Sequence, residues 1–174
     1  VVESIDVTSN QVTGSGTTQI TINPSVTLES STEYYVKIDT TAFDDPNGNS
    51  YAGITDTTSL SFTTGDAVDP TLTSSNPADD ATAIAEDSNI VLNFTEAVDA
   101  ESGNIVIYKT SDDSVVESID VTSNQVTGSG TSQITISPTN DLPASTEFYI
   151  KIDATAFDDS NSNSYAGIND KTTL

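Results

Sequence analysis

The chain repeats itself at a distance of 114 residues, and this repeat constrains its fold more than any other feature. The run VVESIDVTSNQVTGSG begins at Val1 and again at Val115. Aligned without a gap, residues 1–60 and residues 115–174 are identical at 45 of 60 positions. Such self-similarity is typical of a tandem array in which every copy is one structural unit. A period of 114 residues is long enough for one small hydrophobic core and too short for two.

The repeat also predicts where two units meet. The segment Gly65-Asp66-Ala67-Val68-Asp69-Pro70 occurs once, just after the first copy ends, and its composition is typical of a linker. We therefore expect residues 1–64 to be the C-terminal part of one repeat, residues 65–70 a linker and residues 71–174 a nearly complete second repeat. The second repeat lacks only a counterpart of Ser61-Phe62-Thr63-Thr64. The chain is expected to be a segment of a longer periodic protein.

The net charge excludes several classes of partner. Four lysines, no arginine and 27 acidic residues give a formal charge of −23 at pH 7. A field of this sign repels nucleic acid and anionic membrane surfaces and attracts cations. There is no cysteine and no histidine, so disulfides and the usual zinc ligands are excluded. No apolar run approaches the roughly 20 residues that cross a bilayer, so no membrane insertion is predicted for this segment.

Apolar residues alternate along the chain with the period of β-strands, and no stretch has a sustained helical period. In residues 89–95, for example, three apolar side chains share one face because side chains alternate with period two. Similar patterns at 71–75, 104–109, 114–121, 133–136 and 146–153, and a last strand from Lys171 after a polar loop at 155–170, give about seven strands. This spacing predicts an all-β fold, an antiparallel β-sandwich. The predicted core is Ile90, Leu92, Phe94, Ile105, Ile107, Ile134, Ile136, Phe148, Ile150 and Ile152.

The residue types argue against an enzyme. Nucleophilic catalysis needs a base beside the nucleophile, and without His or Cys only Ser, Thr, Lys and carboxylates are available. No nucleophile elbow or phosphate-binding loop is present. The two Gly-Ser-Gly tracts, at Gly14 and at Gly128, lack a following lysine and are typical of hairpin turns. We therefore predict no catalytic site.

The acidic loops have the spacing of a calcium loop. Residues 45–56 place oxygen-bearing side chains at positions 1, 3, 5 and 12 of a twelve-residue frame in which position 7 lends its backbone carbonyl. Position 6 is serine where glycine is usual, and position 12 is Asp where Glu is usual. The alternative is an Asx-rich loop that holds its own turns. The candidate calcium ligands are Asp45, Asn47, Asn49, Tyr51 and Asp56 in the first copy and Asp159, Asn161, Asn163, Tyr165 and Asp170 in the second, where Gly167 fills position 9.

A second acidic cluster is predicted at the junction of the repeats. In a sandwich of this topology, the entering linker lies at the same pole as the loop after the second strand and the long loop before the last. Asp66 and Asp69 should then approach Glu96, Asp99 and Glu101. Carboxylates gathered at one pole repel each other unless a cation lies among them. A junctional calcium site is therefore predicted, the alternative being a solvated acidic hinge.

Two long runs resemble a known family of repeats. Residues 76–84, NPADDATAI, together with residues 90–98, IVLNFTEAV, are similar to the opening of bacterial immunoglobulin-like repeats, and residues 142–159 are similar to their second half. The resemblance implies an immunoglobulin-like sandwich and a place among the tandem extender modules of large surface adhesins. It also implies an extracellular location on a bacterial cell and frequent calcium between modules. We thus expect a stalk module, rigidified by calcium, whose partners are the neighbouring repeats of the same chain.

Two other functions are compatible with this fold. One is a subunit of an extracellular filament in which strands pass between copies of the chain. The other is a glycan-binding immunoglobulin-like module, although this requires an exposed aromatic platform. The chain has no tryptophan, and Tyr35, Tyr108 and Tyr149 are scattered along it.

Overall fold

The computed structural model describes all 174 residues. The chain contains β-strands, turns and loops, and no helix. The chain divides into two compact units, Val1–Asp66 and Ala67–Leu174. The division falls inside the predicted linker, residues 65–70. No helix of the length and apolar character needed to cross a membrane is present.

Unit 1, Val1–Asp66, contains four short strands in two separate two-stranded antiparallel sheets. In the first pair, β1 (Val12–Thr13) is antiparallel to β2 (Thr21–Ile22). In the second pair, β3 (Glu33–Tyr35) is antiparallel to β4 (Ser61–Thr63). No strand of this unit is longer than three residues.

Unit 2, Ala67–Leu174, contains eight strands in two antiparallel sheets. The strands are β5 (Leu72–Asn76), β6 (Ile90–Ala100), β7 (Asn104–Lys109), β8 (Val115–Asp120), β9 (Val126–Thr127), β10 (Thr131–Ile136), β11 (Phe148–Ile152) and β12 (Phe157–Asp158). One sheet has five strands, in which β6 pairs with β5, β10 and β12 and β10 also pairs with β9. The other sheet has three strands in the order β11-β7-β8. The predicted all-β, antiparallel sandwich is thereby confirmed.

The core of unit 2 lies between the two sheets. Nine of the ten predicted core residues are buried, and the tenth, Phe148, packs against the core while partly exposed. Alternation explains this result, because Ile90, Leu92 and Phe94 point from β6 to one side while the intervening side chains stay accessible.

The structure corrects three predictions about unit 2. Strand β6 continues through Glu96 to Ala100, because Asp99 and Ala100 pair with β12. The loop at 155–170 is polar in composition, yet it buries Phe157, Tyr165 and Ile168 in the core. No strand begins at Lys171; the chain instead makes turns there, and the Leu174 carbonyl accepts a hydrogen bond of 2.8 Å from the Ile150 amide.

The same residues are exposed in unit 1 and buried in unit 2. Ile20 and Ile22 are 36% and 38% exposed, whereas their counterparts Ile134 and Ile136 are fully buried. In unit 2 these isoleucines lie on β10, which pairs with β6 and faces the sheet of β7. Residues 67–114, which supply β5, β6 and β7, have no second copy in the chain. Burial of the repeated segment therefore depends on this unrepeated half of the period.

This difference gives a test with an internal control. Ile136→Ala should lower the free energy of unfolding of unit 2 by about 2–5 kcal/mol, because it removes buried methyl groups and leaves a cavity. Ile22→Ala, the same change at the exposed counterpart, should leave the unit 2 transition unchanged. Chemical denaturation of the full chain measures both, and equal effects of the two substitutions would contradict the assigned core.

Candidate metal site

In unit 2, the loop after β12 is held in its conformation by the carboxylate of Asp159. Asp159 follows directly after β12, and its Oδ1 accepts hydrogen bonds of 2.8 Å from the backbone amides of Asn161 and Asn163. Its Oδ2 accepts a further bond of 2.8 Å from the Asn163 side chain. The Asp159 amide in turn donates to the Asn163 carbonyl at 2.9 Å. Positions 1, 3 and 5 of the predicted frame thus form a closed turn.

The loop of unit 1 has the same network although its surroundings differ. Asp45 Oδ1 accepts from the amides of Asn47 and Asn49 at 2.9 and 2.8 Å, and Oδ2 accepts from the Asn49 side chain at 2.8 Å. Asp45 is exposed, whereas Asp159 is only 6% exposed. Because the network is identical in both, the loop conformation comes from its own sequence, as expected for an Asx turn.

The acids at position 12 hold a different turn. Asp170 Oδ1 accepts from the Thr172 amide at 2.8 Å and also from the Thr172 and Thr173 hydroxyls. In unit 1, Asp56 Oδ1 accepts from the amides of Thr58 and Ser59 at 2.8 and 2.7 Å. These bonds lower the pKa of both carboxyls, the amide of Thr172 contributing most for Asp170 and the hydroxyl of Ser59 most for Asp56. Both ends of the frame are therefore held by internal hydrogen bonds, which is the arrangement of the predicted Asx-rich alternative.

Position 7 is occupied by a tyrosine whose side chain serves packing. The Tyr165 ring is 6% exposed and lies edge-on to Phe94, with centroids 5.1 Å apart. Its counterpart Tyr51 is 45% exposed. At position 9, Gly167 has φ +74, and a Cβ there would lie 2.4 Å from the Ile152 carbonyl oxygen. This glycine lets the loop return closely against β11.

The structure brings one predicted junction acid against the loop of unit 2. A carboxylate oxygen of Glu96 lies within 4.8 Å of one of Asp159. The register explains this proximity, because β12 pairs antiparallel with the end of β6, Asp158 opposite Asp99. Glu96 and Asp159 were assigned by the sequence to two separate clusters. Within unit 2 they form one acidic pair.

The other acids predicted at the junction accept hydrogen bonds or are exposed. Asp99 Oδ1 accepts a hydrogen bond of 3.1 Å from the Ser129 hydroxyl. Glu101 and Asp69 are exposed, and Asp69 precedes the segment where Thr71 and Thr95 exchange hydrogen bonds. Asp66, the last residue of unit 1, accepts a hydrogen bond of 3.0 Å from the Ser30 hydroxyl. Its participation in a calcium site stays a prediction.

The electrostatics of the Glu96–Asp159 pair favour a cation. Burial raises the pKa of Asp159, but the hydrogen bonds from the Asn163 side chain and the Asn163 and Asn161 amides outweigh it and hold the pKa below the usual value. Asp159 therefore carries a buried negative charge near neutral pH, with a second carboxylate beside it. Like charges at this distance repel each other, and the two carboxylates offer oxygen atoms of the kind that calcium prefers as ligands.

The tyrosines of the glycan alternative are arranged differently from the sequence-based expectation. Tyr108 and Tyr149 stack with centroids 4.9 Å apart and an interplanar angle of 7°. Tyr149 is only 4% exposed, because Lys171 lies over its ring and its hydroxyl donates to Asp113. The pair is thus adjacent rather than scattered, but it is covered and offers no open platform for a sugar.

Comparison with protein families gave one result. The model of a family described as bacterial Ig-like domain matches residues 2–64 and, separately, residues 66–173. No curated protein and no solved structure matches the chain.

The loop network predicts a measurable pH dependence. Asn163→Ala removes the side-chain donor to Asp159 Oδ2, and hydrogen bonds to charged groups are stronger than those between neutral groups. Because the folded pKa of Asp159 is below its ordinary value of 3.8, this stabilisation is present at neutral pH. It is lost as the pH falls below 3.8 and through the folded pKa.

Thermal unfolding at a series of pH values measures the stability of unit 2, and carbon-detected NMR titration measures the pKa of Asp159. Asn163→Ala should raise the pKa of Asp159 and destabilise unit 2 at pH 7, and the difference from wild type should vanish in acid. Asn49→Ala is the matched control in unit 1 and should leave unit 2 unchanged. A difference that persists unchanged at low pH would refute the charged hydrogen bond.

Proposed function

Because the chain belongs to the bacterial Ig-like domain family, we propose that it is an extender module in the stalk of a repetitive bacterial surface adhesin. Domains of this family are typically structural modules of extracellular bacterial surface proteins. The observation that carries the proposal is the tandem repeat itself, with 45 of 60 positions identical between copies. Near-identical modules suit a spacer, because each copy does the same mechanical work.

The dimensions of the fold support a spacer. Strand β6 runs for eleven residues, Ile90–Ala100, and an extended strand rises about 3.3 Å per residue, so it spans roughly 36 Å. The other strands of unit 2 are shorter, at most six residues, so β6 marks its long direction, along which modules joined end to end would extend the chain. Reach then increases with the number of periods rather than with the size of one domain.

The surface chemistry fits an extracellular spacer. A formal charge of −23 keeps copies apart and in solution, and salt screens the repulsion within each module, since the Debye length is only a few ångströms at about 1 M. An array of this composition does not bind nucleic acid or anionic membranes. Its proposed partners are neighbouring repeats of the same chain.

We assign calcium a stiffening role at the Glu96–Asp159 pair. The pair offers two carboxylates within 4.8 Å, and the asparagine-held turn fixes one of them in place. Affinities of about 10⁻⁴ to 10⁻³ M are typical of extracellular modules. At roughly 10⁻² M calcium, as in seawater, such a site stabilises the folded state by about 1.4–2.7 kcal/mol. Neither carboxylate belongs to the hydrophobic core, so calcium should add rigidity and should not be required for folding.

Matched substitutions distinguish this site from the loop frame predicted by sequence. Glu96→Gln and Asp159→Asn should each abolish the increase in melting temperature that millimolar calcium gives to unit 2. Asp45→Asn should leave the increase for unit 2 unchanged, because Asp45 lies in unit 1 and is not a member of the pair. Calorimetry should find one site per chain. If calorimetry finds two sites, and Asp45→Asn and Asp159→Asn each remove one of them, calcium binds to the twelve-residue loops and the Glu96–Asp159 pair is not the site.

The stalk role is tested by length. Chains of two, three and four periods of 114 residues should increase in maximum dimension by a constant amount per period in small-angle X-ray scattering with calcium. Chelation should increase bending while the circular dichroism spectrum stays that of a β-protein. A maximum dimension that grows as slowly as that of a compact globule would refute the extender function.

A further inference from the structure

Two tyrosines of unit 2 stack on the outer face of the three-stranded sheet. Tyr149 on β11 lies directly opposite Tyr108 on β7. Because side chains alternate between the two faces of a strand and the neighbours Ile107 and Ile150 enter the core, both tyrosines lie on the face away from the core. Their ring centroids are 4.9 Å apart, and the angle between the ring planes is 7°. The register of two strands therefore holds two phenols side by side in a favourable stacking geometry.

Charged side chains surround this pair of rings. The Tyr149 hydroxyl donates a hydrogen bond of 3.1 Å to Asp113 Oδ1, and Lys171 also donates to this carboxylate. The Lys171 ammonium lies 5.4 Å from the centroid of the Tyr149 ring. The Lys151 ammonium lies 5.9 Å from the centroid of the Tyr108 ring. Tyr149 is buried, whereas Tyr108 is partly exposed, so one ring is covered and its partner can be reached from solvent.

The lysine over Tyr149 is positioned by a local turn. Asp170 accepts hydrogen bonds from the Thr172 amide and the Thr173 hydroxyl. Asp56 accepts from the amides of the two corresponding residues or their neighbours in unit 1, so the turn recurs in both copies. Lys171 lies inside this turn, and its position follows from the hydrogen bonds of the turn itself.

The pair has the groups that oxidative coupling of two phenols requires. One-electron oxidation of a tyrosine removes an electron and the phenolic proton, and it leaves a phenoxyl radical. Hydrogen bonds from Lys171 and Tyr149 hold the pKa of Asp113 below its usual value. Its carboxylate is therefore ionised at neutral pH and can accept the proton of the Tyr149 hydroxyl. Two phenoxyl radicals combine through the ring carbons beside their oxygens, and stacking keeps the two rings adjacent while both radicals form.

We propose that Tyr108 and Tyr149 are a modification site, at which hydrogen peroxide activated by an enzyme of the haem peroxidase class forms a dityrosine cross-link between β7 and β11. Each phenol loses one hydrogen atom, and a carbon–carbon bond forms between the two rings. The hydrogens on the two coupled carbons leave as protons and the phenoxyl oxygens take up protons, which restores both phenols. One molecule of hydrogen peroxide accepts the two hydrogen atoms and becomes two molecules of water.

The cross-link is a covalent staple in a chain that cannot form a disulfide, because it contains no cysteine. Strands β7 and β11 are neighbours in the sheet, yet β8, β9 and β10 lie between them in the sequence. A covalent bond that closes a long loop restricts the unfolded chain and so stabilises the folded state. The staple acts within unit 2 and is independent of both calcium and the stalk role proposed above.

Treatment of the full chain with hydrogen peroxide and a haem peroxidase tests the site. The monomeric fraction should lose the mass of two hydrogen atoms and gain the fluorescence of dityrosine. Because Lys109 follows Tyr108 and Lys151 lies shortly after Tyr149, trypsin should release peptides 38–109 and 110–151 as one joined species. Failure of the oxidised chain to give this joined species would overturn the proposal.

Conservative variants identify the two rings. Tyr108→Phe and Tyr149→Phe keep an aromatic ring in each place, and each should abolish the joined species. Tyr165→Phe is the matched control, because the Tyr165 ring lies in the core beside Phe94, and it should leave the joined species unchanged. Formation of the joined species in Tyr108→Phe or in Tyr149→Phe would overturn the assignment.

Rate and stability test the proton acceptor and the staple. Asp113→Asn removes the acceptor, and asparagine tolerates the φ of 57° at this position, so coupling should slow about tenfold in a folded chain. Asp112→Asn is the matched control, because the Asp112 carboxylate accepts from Ser114 instead. Equal rates in the two variants would overturn the role of Asp113. Oxidation should raise the melting temperature of unit 2 by several degrees in the wild type and not in Tyr108→Phe, and no rise in the cross-linked wild type would overturn the staple.

Discussion

The packing of one apolar face against another, between the sheet of β6 and the sheet of β7, is the interaction on which the rest of unit 2 depends. Leu92 on β6 and Ile105 and Ile107 on β7 are completely buried, and all three come from the unrepeated half of the period. Unit 1 contains the repeated half alone, and its isoleucines at positions 20 and 22 remain over a third exposed. Local sequence is thus sufficient for the turns and loops, which form in both units, while the strands lengthen and become buried only where the unrepeated half covers them.

Most of this sandwich could be predicted from the sequence, because a strand with one buried face alternates apolar and polar residues with period two. Buried residues outside such an alternating pattern could not be predicted. Phe157, Tyr165 and Ile168 are isolated apolar residues in a polar loop, and only the antiparallel pairing of β12 with β6 shows that they turn inward. The strand expected from Lys171 does not form, because Asp170 accepts hydrogen bonds from Thr172 and Thr173 and so favours a turn at that point.

The candidate site illustrates the same limit. Its local part, Asp159 with Asn161 and Asn163, could be identified from spacing, since an aspartate followed by asparagines two and four residues later tends to hold its own turn. The approach of Glu96 could not, because it lies far from Asp159 in sequence and is brought near only by the register of two strands. The register depends in turn on the length of β6, which the sequence pattern underestimates because Glu96 interrupts the apolar face between Phe94 and Val98.

The two acidic loops, at Asp45 and at Asp159, are shaped by hydrogen bonds within the chain. In each loop the key aspartate is already satisfied by amide donors, so the turn needs no ion to form. The two loops differ in their neighbours, because Asp159 has the Glu96 carboxylate beside it. Glu96 belongs to residues 67–114, which occur once in this sequence. The calcium ion proposed for that pair would therefore bind to a turn that is already shaped, so its binding energy would not be spent on ordering the loop.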